Sequence, residues 1–285
     1  MIARTLAING ADAVYILGPI ASENDAAVAQ SPVPEEPFRA ILCDITSKDS
    51  LAAAVKQIEK EEGFIDVLVA NAGVPGAQTG LTAIGKTLTP TEYAKLFWEA
   101  PMTDFNRPFD VNVTGTFYTI LAFLPLLDRG QSDARVLNQK LRDARWPEDQ
   151  MFAAKSHILL TTSTSGLSRN LLAFAPSYAL SKAALIHLTK NLSTYAATAG
   201  WNIRVNALCP HLVQTAFTTS LPFMSEANTE GVVEVAKSVN PAGRVLGEED
   251  IAAAVLYVCG KGGEMVDGAV VLVDGGKVGT VPGTY

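Results

Sequence analysis

The segment HILLTTSTSG, residues 157–166, reads as an apolar strand ending in a row of hydroxyls, and PSYALSKAALIHL, residues 176–188, as the opening of the helix that follows. A strand with no polar alternation through Ile158, Leu159 and Leu160 is buried on both faces, which is how strands behave in a parallel sheet covered by helices. The same unit recurs along the chain. Apolar runs at Ala13–Leu17, Phe38–Cys43, Ile65–Ala70, His157–Leu160, Ile203–Leu208 and Ala269–Val273 alternate with helical patterns at about 47–62, 109–127, 177–198 and 248–259. That order predicts an α/β, doubly wound parallel sheet. An amphipathic stretch from Met1 to Ile8, stopped at Asn9-Gly10, predicts a further short helix at the start.

Three stretches break the alternation. Residues 18–37, with Pro19, Pro32, Pro34 and Pro37, and the charged 128–155 read as surface excursions rather than linkers. The third, 211–245, follows a strand end and mixes Thr, Ser, Phe and Met, as a segment covering a ligand does. The expectation is one domain spanning 1–285, with a substrate lid at about 211–245.

Composition narrows the function classes. With 48% hydrophobic residues over 285 positions a large core is available, while the longest apolar runs, such as Ile251–Cys259, fall short of the roughly 18 residues of a membrane span. A net charge of −7 without a dense Lys/Arg cluster argues against nucleic-acid or anionic-membrane surfaces and for small-molecule partners. Cys43, Cys209 and Cys259 sit in apolar surroundings with no zinc or redox spacing, so no metal is expected, and Asn9, Gly10 and Asp12 interrupt any signal-peptide core. A cytoplasmic protein with buried thiols is expected.

The chemistry centres on Tyr178 and Lys182. Four residues apart on a helix, they share one face, and a cation beside a phenol favours phenolate, bringing a group of pKa about 10 toward neutrality. That pairing describes a general acid/base, although the spacing alone also fits an exposed polar pair. The preceding strand delivers Ser163 to the carboxyl edge of the sheet, where open α/β folds bind ligands. Other strand ends carry Asp44 and Asn71-Ala72-Gly73, and the helix at 109–127 carries a polar Asn112. Each of these also has an ordinary role as cap, turn residue or satisfied core amide.

Together the residues resemble the short-chain dehydrogenase/reductase family. The resemblance rests on CD at 43–44, NAG at 71–73, VNVTG around Asn112, STSG at 163–166, YALSK at 178–182, RVNALCP at 204–210 and VDGG at 273–276, in the family's order over nearly the whole chain. The long insertions look most like reductases of fungal secondary metabolism. The resemblance implies that Tyr178 is the catalytic acid/base, that Lys182 lowers its pKa and holds the cofactor ribose, that Ser163 orients a carbonyl, and that Asn112 completes a proton-relay tetrad. It also implies Asp44 by the adenine, Asn71 by the adjoining ribose, and Val213 and Thr215 by the nicotinamide amide. A homo-oligomer, dimer or tetramer, is implied as well.

The chain departs from the family in three places. The family's serine usually stands about a dozen residues before its tyrosine. By that spacing Ser165 rivals Ser163, whereas the S-x-x-G register ending at Gly166 favours Ser163, with the extra residues in the loop around Arg169–Phe174. His211 follows Pro210 where the family usually has glycine, and it reads equally as a lid hinge or a substrate contact. Finally, members begin with a strand and a TGxxxGIG loop for the pyrophosphate, and Met1 aligns just past that loop, so the first strand, which would be central in the sheet, and the glycine loop are expected to be missing.

Three readings follow from the opening: an ordinary NADP(H)-dependent reductase in incomplete form, a cofactor-independent lyase, isomerase or cyclase using Tyr178 and Lys182, or a non-catalytic subunit that pairs with a complete relative. The absence of Asp or Glu in Leu17-Gly18-Pro19-Ile20 favours NADP(H) over NAD(H). Phe217, Leu221, Phe223 and Met224 suggest an apolar, polyketide-sized substrate, although such a stripe also serves simple packing.

Overall fold

The computed structural model describes residues 1–31, 38–77, 86–130, 155–169, 175–215, 218, 221, 224, 228 and 231–283. The strands are β1 (Val14–Gly18), β2 (Phe38–Leu42), β3 (Val67–Ala70), β4 (Ser156–Thr161), β5 (Ile203–Pro210) and β6 (Val270–Val273). The helices are α1 (Ile2–Ile8), α2 (Ala21–Ala29), α3 (Lys48–Glu61), α4 (Pro90–Trp98), α5 (Met102–Pro108), α6 (Thr116–Gly130), α7 (Pro176–Ala199) and α8 (Glu248–Cys259). Every strand pair is parallel, and helices lie on both faces. The expected doubly wound α/β architecture is present.

Alternating residues of β4 divide the core. Ile158 and Leu160 pack with Ile120 and Leu127 of α6 and Leu185 of α7, whereas Leu159 faces Ile251, Val255 and Val258 of α8, with Ile2 and Leu6 of α1 beside them. A third cluster joins Ile41 and Cys43 to Leu51 and Ile58 of α3 and Phe123 and Leu126 of α6. Helix ends follow local chemistry. Ser47 caps α3 by accepting from the Ser50 amide, while α7 begins at Pro176 and stops at Gly200, whose φ of +74° suits glycine.

The structure bears on the sequence reading at three points. The first concerns the sheet, which among the described residues is in two parts, β1 with β2 and β3-β4-β5-β6 as a four-stranded sheet, in keeping with the expectation that the family's first, central strand is missing. The second is α2, a helix within 18–37 where the sequence suggested an irregular excursion; its one buried residue is Asn24, so no apolar stripe announces it. The third is the helix expected at 109–127, which runs from Met102 to Gly130 and widens into a π turn at Phe109–Gly115, just after Pro108. By length and composition that helix could cross a membrane, but half of its most apolar stretch is buried, and Ile120, Phe123, Leu126 and Leu127 make it a core helix. The excursion at 131–154 and the loop at 170–174 lie outside the described residues, as do Phe217, Phe223, Pro32, Pro34 and Pro37.

Candidate active site

Strand β4 ends at Thr161, and the next residues turn sharply: Ser163 leads into a single 3-10 turn, Thr164–Gly166, closed by the Gly166 amide donating to the Ser163 carbonyl at 2.9 Å. Gly166 is required by close approach, since a Cβ there would stand 2.7 Å from the backbone of Lys182 and Ala183. This contact presses the serine turn onto α7. Ser163 Oγ accepts from the Ser165 amide at 3.2 Å and is hydrogen-bonded to the Tyr178 phenol. Of the two serines the sequence leaves open, Ser163 is thus the one whose hydroxyl meets the phenol.

One helical turn after Tyr178, the Lys182 ammonium lies 5.6 Å from the tyrosine ring centroid and donates to the Thr161 carbonyl at 2.8 Å. Only 3% of Lys182 is exposed. Burial pushes its pKa down from 10.5 to about 8. Burial also pushes the Tyr178 phenol up to about 12, with the Ser163 hydrogen bond acting in the opposite direction. This corrects the expectation that the neighbouring cation would bring the phenol toward neutrality. Desolvation sets the direction, and the group that opposes it is Ser163 rather than Lys182.

Asn112 is fully buried, and the π turn aims it at two elements. Its Oδ1 accepts from the Val74 amide at 2.8 Å, while Nδ2 donates to the Val74 carbonyl at 3.1 Å and to Ser181 Oγ at 2.9 Å. Ser181 Oγ in turn donates to the Tyr178 carbonyl at 2.7 Å. The loop after β3 is thereby fastened to α7, and a Cβ at Gly73 would come within 3.2 Å of Asn112 Oδ1 and 3.5 Å of Lys182 Nζ. Val74 and Ser181 are site-building residues that the sequence reading did not single out, although Ser181 lies within YALSK.

The other anticipated residues sit at the same carboxyl edge without touching this cluster. Asn71 is exposed at the end of β3. Asp44, exposed after β2, accepts from the Thr46 amide at 2.9 Å and the Thr46 hydroxyl at 2.7 Å, which holds its carboxyl below the usual range. Val213 bridges to Leu246, and the Thr215 amide donates to Thr218 Oγ1 at 3.1 Å. Leu221 and Met224, offered as substrate contacts, pack with Leu212, Val233 and Val245 in a small separate core. Among the described residues, no three His, Cys, Asp or Glu side chains converge to hold a metal.

The fit of a nicotinamide cofactor divides along its length. A buried ammonium, the close-packed glycine of the NAG loop, the exposed Asn71 after β3 and the Asp44 carboxylate after β2 offer partners for ribose hydroxyls and an adenine amine. Among the described residues, no glycine-rich strand-to-helix turn stands there to receive a pyrophosphate.

Comparison with known proteins agrees with this architecture. The short chain dehydrogenase family model matches residues 1–139, and the Enoyl-(Acyl carrier protein) reductase model matches residues 144–277. The chain is 33% identical over 279 residues to the short-chain dehydrogenase/reductase SAT3 of Stachybotrys chartarum, covering 97% of each protein. It is also 33% identical to PhomF of Diaporthe leptostromiformis, covering 100% of this chain and 89% of that one. Among solved structures, 3-ketoacyl-(acyl-carrier-protein) reductase from Brucella melitensis, complexed with NADH, superposes with a TM-score of 0.71 at 22% identity, covering 97% of this chain and 92% of that one. The RhlG/NADP complex of Pseudomonas aeruginosa gives 0.73 at 23% identity, covering 97% and 90%.

Proposed function

Because the chain belongs to the short-chain dehydrogenase/reductase family, we propose that it is an NADP(H)-dependent oxidoreductase interconverting a carbonyl and an alcohol on an apolar, polyketide-type small molecule of secondary metabolism. The observation that carries the reading is the convergence of Ser163, Tyr178 and Lys182 where β4 meets α7. When bound, the nicotinamide supplies or takes up hydride. The chain's own residues manage the proton: the Ser163 hydroxyl orients the substrate oxygen, and Tyr178 gives it a proton in reduction or removes one in oxidation. Lys182 holds the ribose, Asn112 keeps the NAG loop against α7, and Asp44, Asn71, Val213 and Thr215 take the remaining cofactor contacts.

NADP(H) is favoured because Leu17-Gly18-Pro19-Ile20, at the end of β1, holds no carboxylate to receive a ribose hydroxyl. The protein acts as one domain, 1–285, with a lid at about 211–245, in the cytoplasm. Exposed Trp98, Met102, Phe105, Phe117 and Leu121 along α4–α6 support a homo-oligomer. The divided sheet, with no described pyrophosphate cradle, favours a second reading, in which Tyr178 and Lys182 serve a cofactor-independent elimination, isomerisation or cyclisation.

Deuterium tracing separates the two. With [4-²H]NADPH at several millimolar and a panel of aromatic ketones, we expect label in the alcohol, more from NADPH than from NADH, and a loss of at least about 10²-fold in Tyr178→Phe. Turnover without label would favour the second reading. Turnover unaffected in Tyr178→Phe would overturn both.

A further inference from the structure

We infer that His211 is a positioning residue, one whose two ring nitrogens tie the Ser163 turn to the segment covering the site. Its Nε2 lies 3.2 Å from the Val239 carbonyl and its Nδ1 lies 2.9 Å from Thr164 Oγ1. A carbonyl oxygen only accepts, so Nε2 carries the proton; in the neutral ring Nδ1 is then an acceptor, and the Thr164 hydroxyl donates to it. Thr164 is buried and directly follows Ser163.

The far end of this link is anchored independently of the histidine. Val239 packs with Leu212, Leu221, Val233 and Val245, Lys277 Nζ donates to the Ser238 carbonyl at 2.7 Å, and the Ala236 carbonyl accepts from the amides of Val239 and Asn240 at 2.8 and 3.1 Å. The histidine's own amide donates to the Val273 carbonyl at 2.9 Å, which fixes the ring's origin on the sheet. The turn at 236–240 therefore has a defined position, and the imidazole transmits it to the residue beside Ser163. Glycine at 211 would supply neither ring contact. The inference rests on Ser163 and Tyr178 being the reacting pair: a docked covering segment then holds the serine hydroxyl in register with the phenol.

The test is amide hydrogen exchange by mass spectrometry on the 285-residue chain, following peptides 161–169 and 233–245 with β5 as reference. His211→Gly should speed exchange about tenfold or more in both peptides and leave β5 unchanged. His211→Asn places an acceptor near the Nδ1 position, so it should protect 161–169 and loosen only 233–245. His211→Gln places a donor near Nε2 and should do the opposite. Thr164→Val should reproduce the effect of His211→Gln and add nothing to it. The inference is overturned if 161–169 stays protected in His211→Gly, or if all three variants loosen both peptides alike, since the ring would then only fill space. Exchange is read without substrate or cofactor. Its failure leaves the oxidoreductase reading standing, and a failed isotope transfer leaves this coupling standing.

Discussion

At Lys182 the proposed role and stability pull in opposite directions. Its ammonium is buried and has the Thr161 carbonyl as acceptor, so the charged form is penalised in the native state and its pKa falls from 10.5 to about 8. Below about pH 8 the native chain carries the full penalty. Between about 8 and 10.5 the unfolded chain holds a proton the native one has released, so stability rises with pH across that window. Lys182→Met should therefore melt higher at pH 7, by about 1–3 kcal/mol, while abolishing turnover, and its advantage should shrink as pH passes 8. A lower melting temperature would mean that the bond to Thr161 outweighs desolvation. At the serines, Ser163→Ala should reduce kcat/KM by at least about tenfold more than Ser165→Ala, because Ser163 alone meets the phenol. The reverse ranking would pass the role to Ser165. Spacing sufficed to put Tyr178 and Lys182 on one helical face, but it could not give the sign of the phenol's pKa shift, which is set by burial that other segments supply. Nor could it give the partners of His211, since Val239 lies 28 positions away.

At the scale of elements, β5 holds down a connection that has almost no apolar anchor. Residues 260–269 are GKGGEMVDGA, and buried polar groups fix them in place. Arg204 donates from one nitrogen to the carbonyls of Val258, Gly263 and Val266 at 3.1, 2.8 and 3.1 Å. Asn206 donates to the Val266 carbonyl at 2.7 Å and accepts from the Ala269 amide at 3.0 Å. Arg204→Met would strand three carbonyls and should cost about 2–5 kcal/mol in denaturant unfolding; a loss under about 0.5 kcal/mol would mean water replaces the guanidinium. Asn206 Nδ2 also donates to His157 Nε2 at 3.1 Å, so that nitrogen is a lone pair and the ring is neutral. Burial takes the His157 pKa down from 6.5 to about 3. The unfolded chain thus binds a proton below about 6.5 that the native chain refuses until about 3, and stability falls as pH drops through that range. His157→Gln keeps an acceptor for Asn206 and should flatten this acid limb, which urea midpoints from pH 7 to 4 would register. Most elements were legible because apolar runs and caps mark them, as Pro176 and Gly200 mark α7. Helix α2 was not, because it docks through Asn24, whose amide donates to the Gly18 and Ile41 carbonyls at 2.9 and 3.1 Å, and apolar periodicity does not register a polar anchor.

At the scale of the whole molecule, the divided sheet decides which part opens first. The parallel α/β class could be read from apolar strands alternating with helices, and the break between β1 and β3 is expected from the family resemblance, which sets a further strand between them. β4 and β5 each have a strand on both sides, and nearly all their residues are buried, whereas every residue of β1 is only half-buried and, among the described residues, it pairs with β2 alone. A two-stranded ribbon is at best marginal by itself, so β1–β2 depends on what grips it. The grip is the cluster of Ile41, Cys43, Leu51, Ile58 and Phe123, with Tyr15 and Leu17 at its margin. An exposed patch adds to it, in which Arg39 pairs with Glu62 and the Tyr15 hydroxyl donates to Glu61 at 2.6 Å; exposed pairs of this kind contribute about 1 kcal/mol or less. Opening this unit would expose one cluster and leave those of β4 and β5 intact, so its free energy should lie well below that of global unfolding. We expect native-state amide exchange at Ile16 and Gly18 to run at least about 10²-fold faster than at Val205 and Ala207, a gap of about 2.7 kcal/mol at 1.36 kcal/mol per factor of ten. Raising urea should leave the β1–β2 rates nearly flat while those of β5 climb, because local opening uncovers little surface. Equal protection at both places, with the same urea dependence, would show that α3 and α6 bind the two sheets into one cooperative unit despite the break between them.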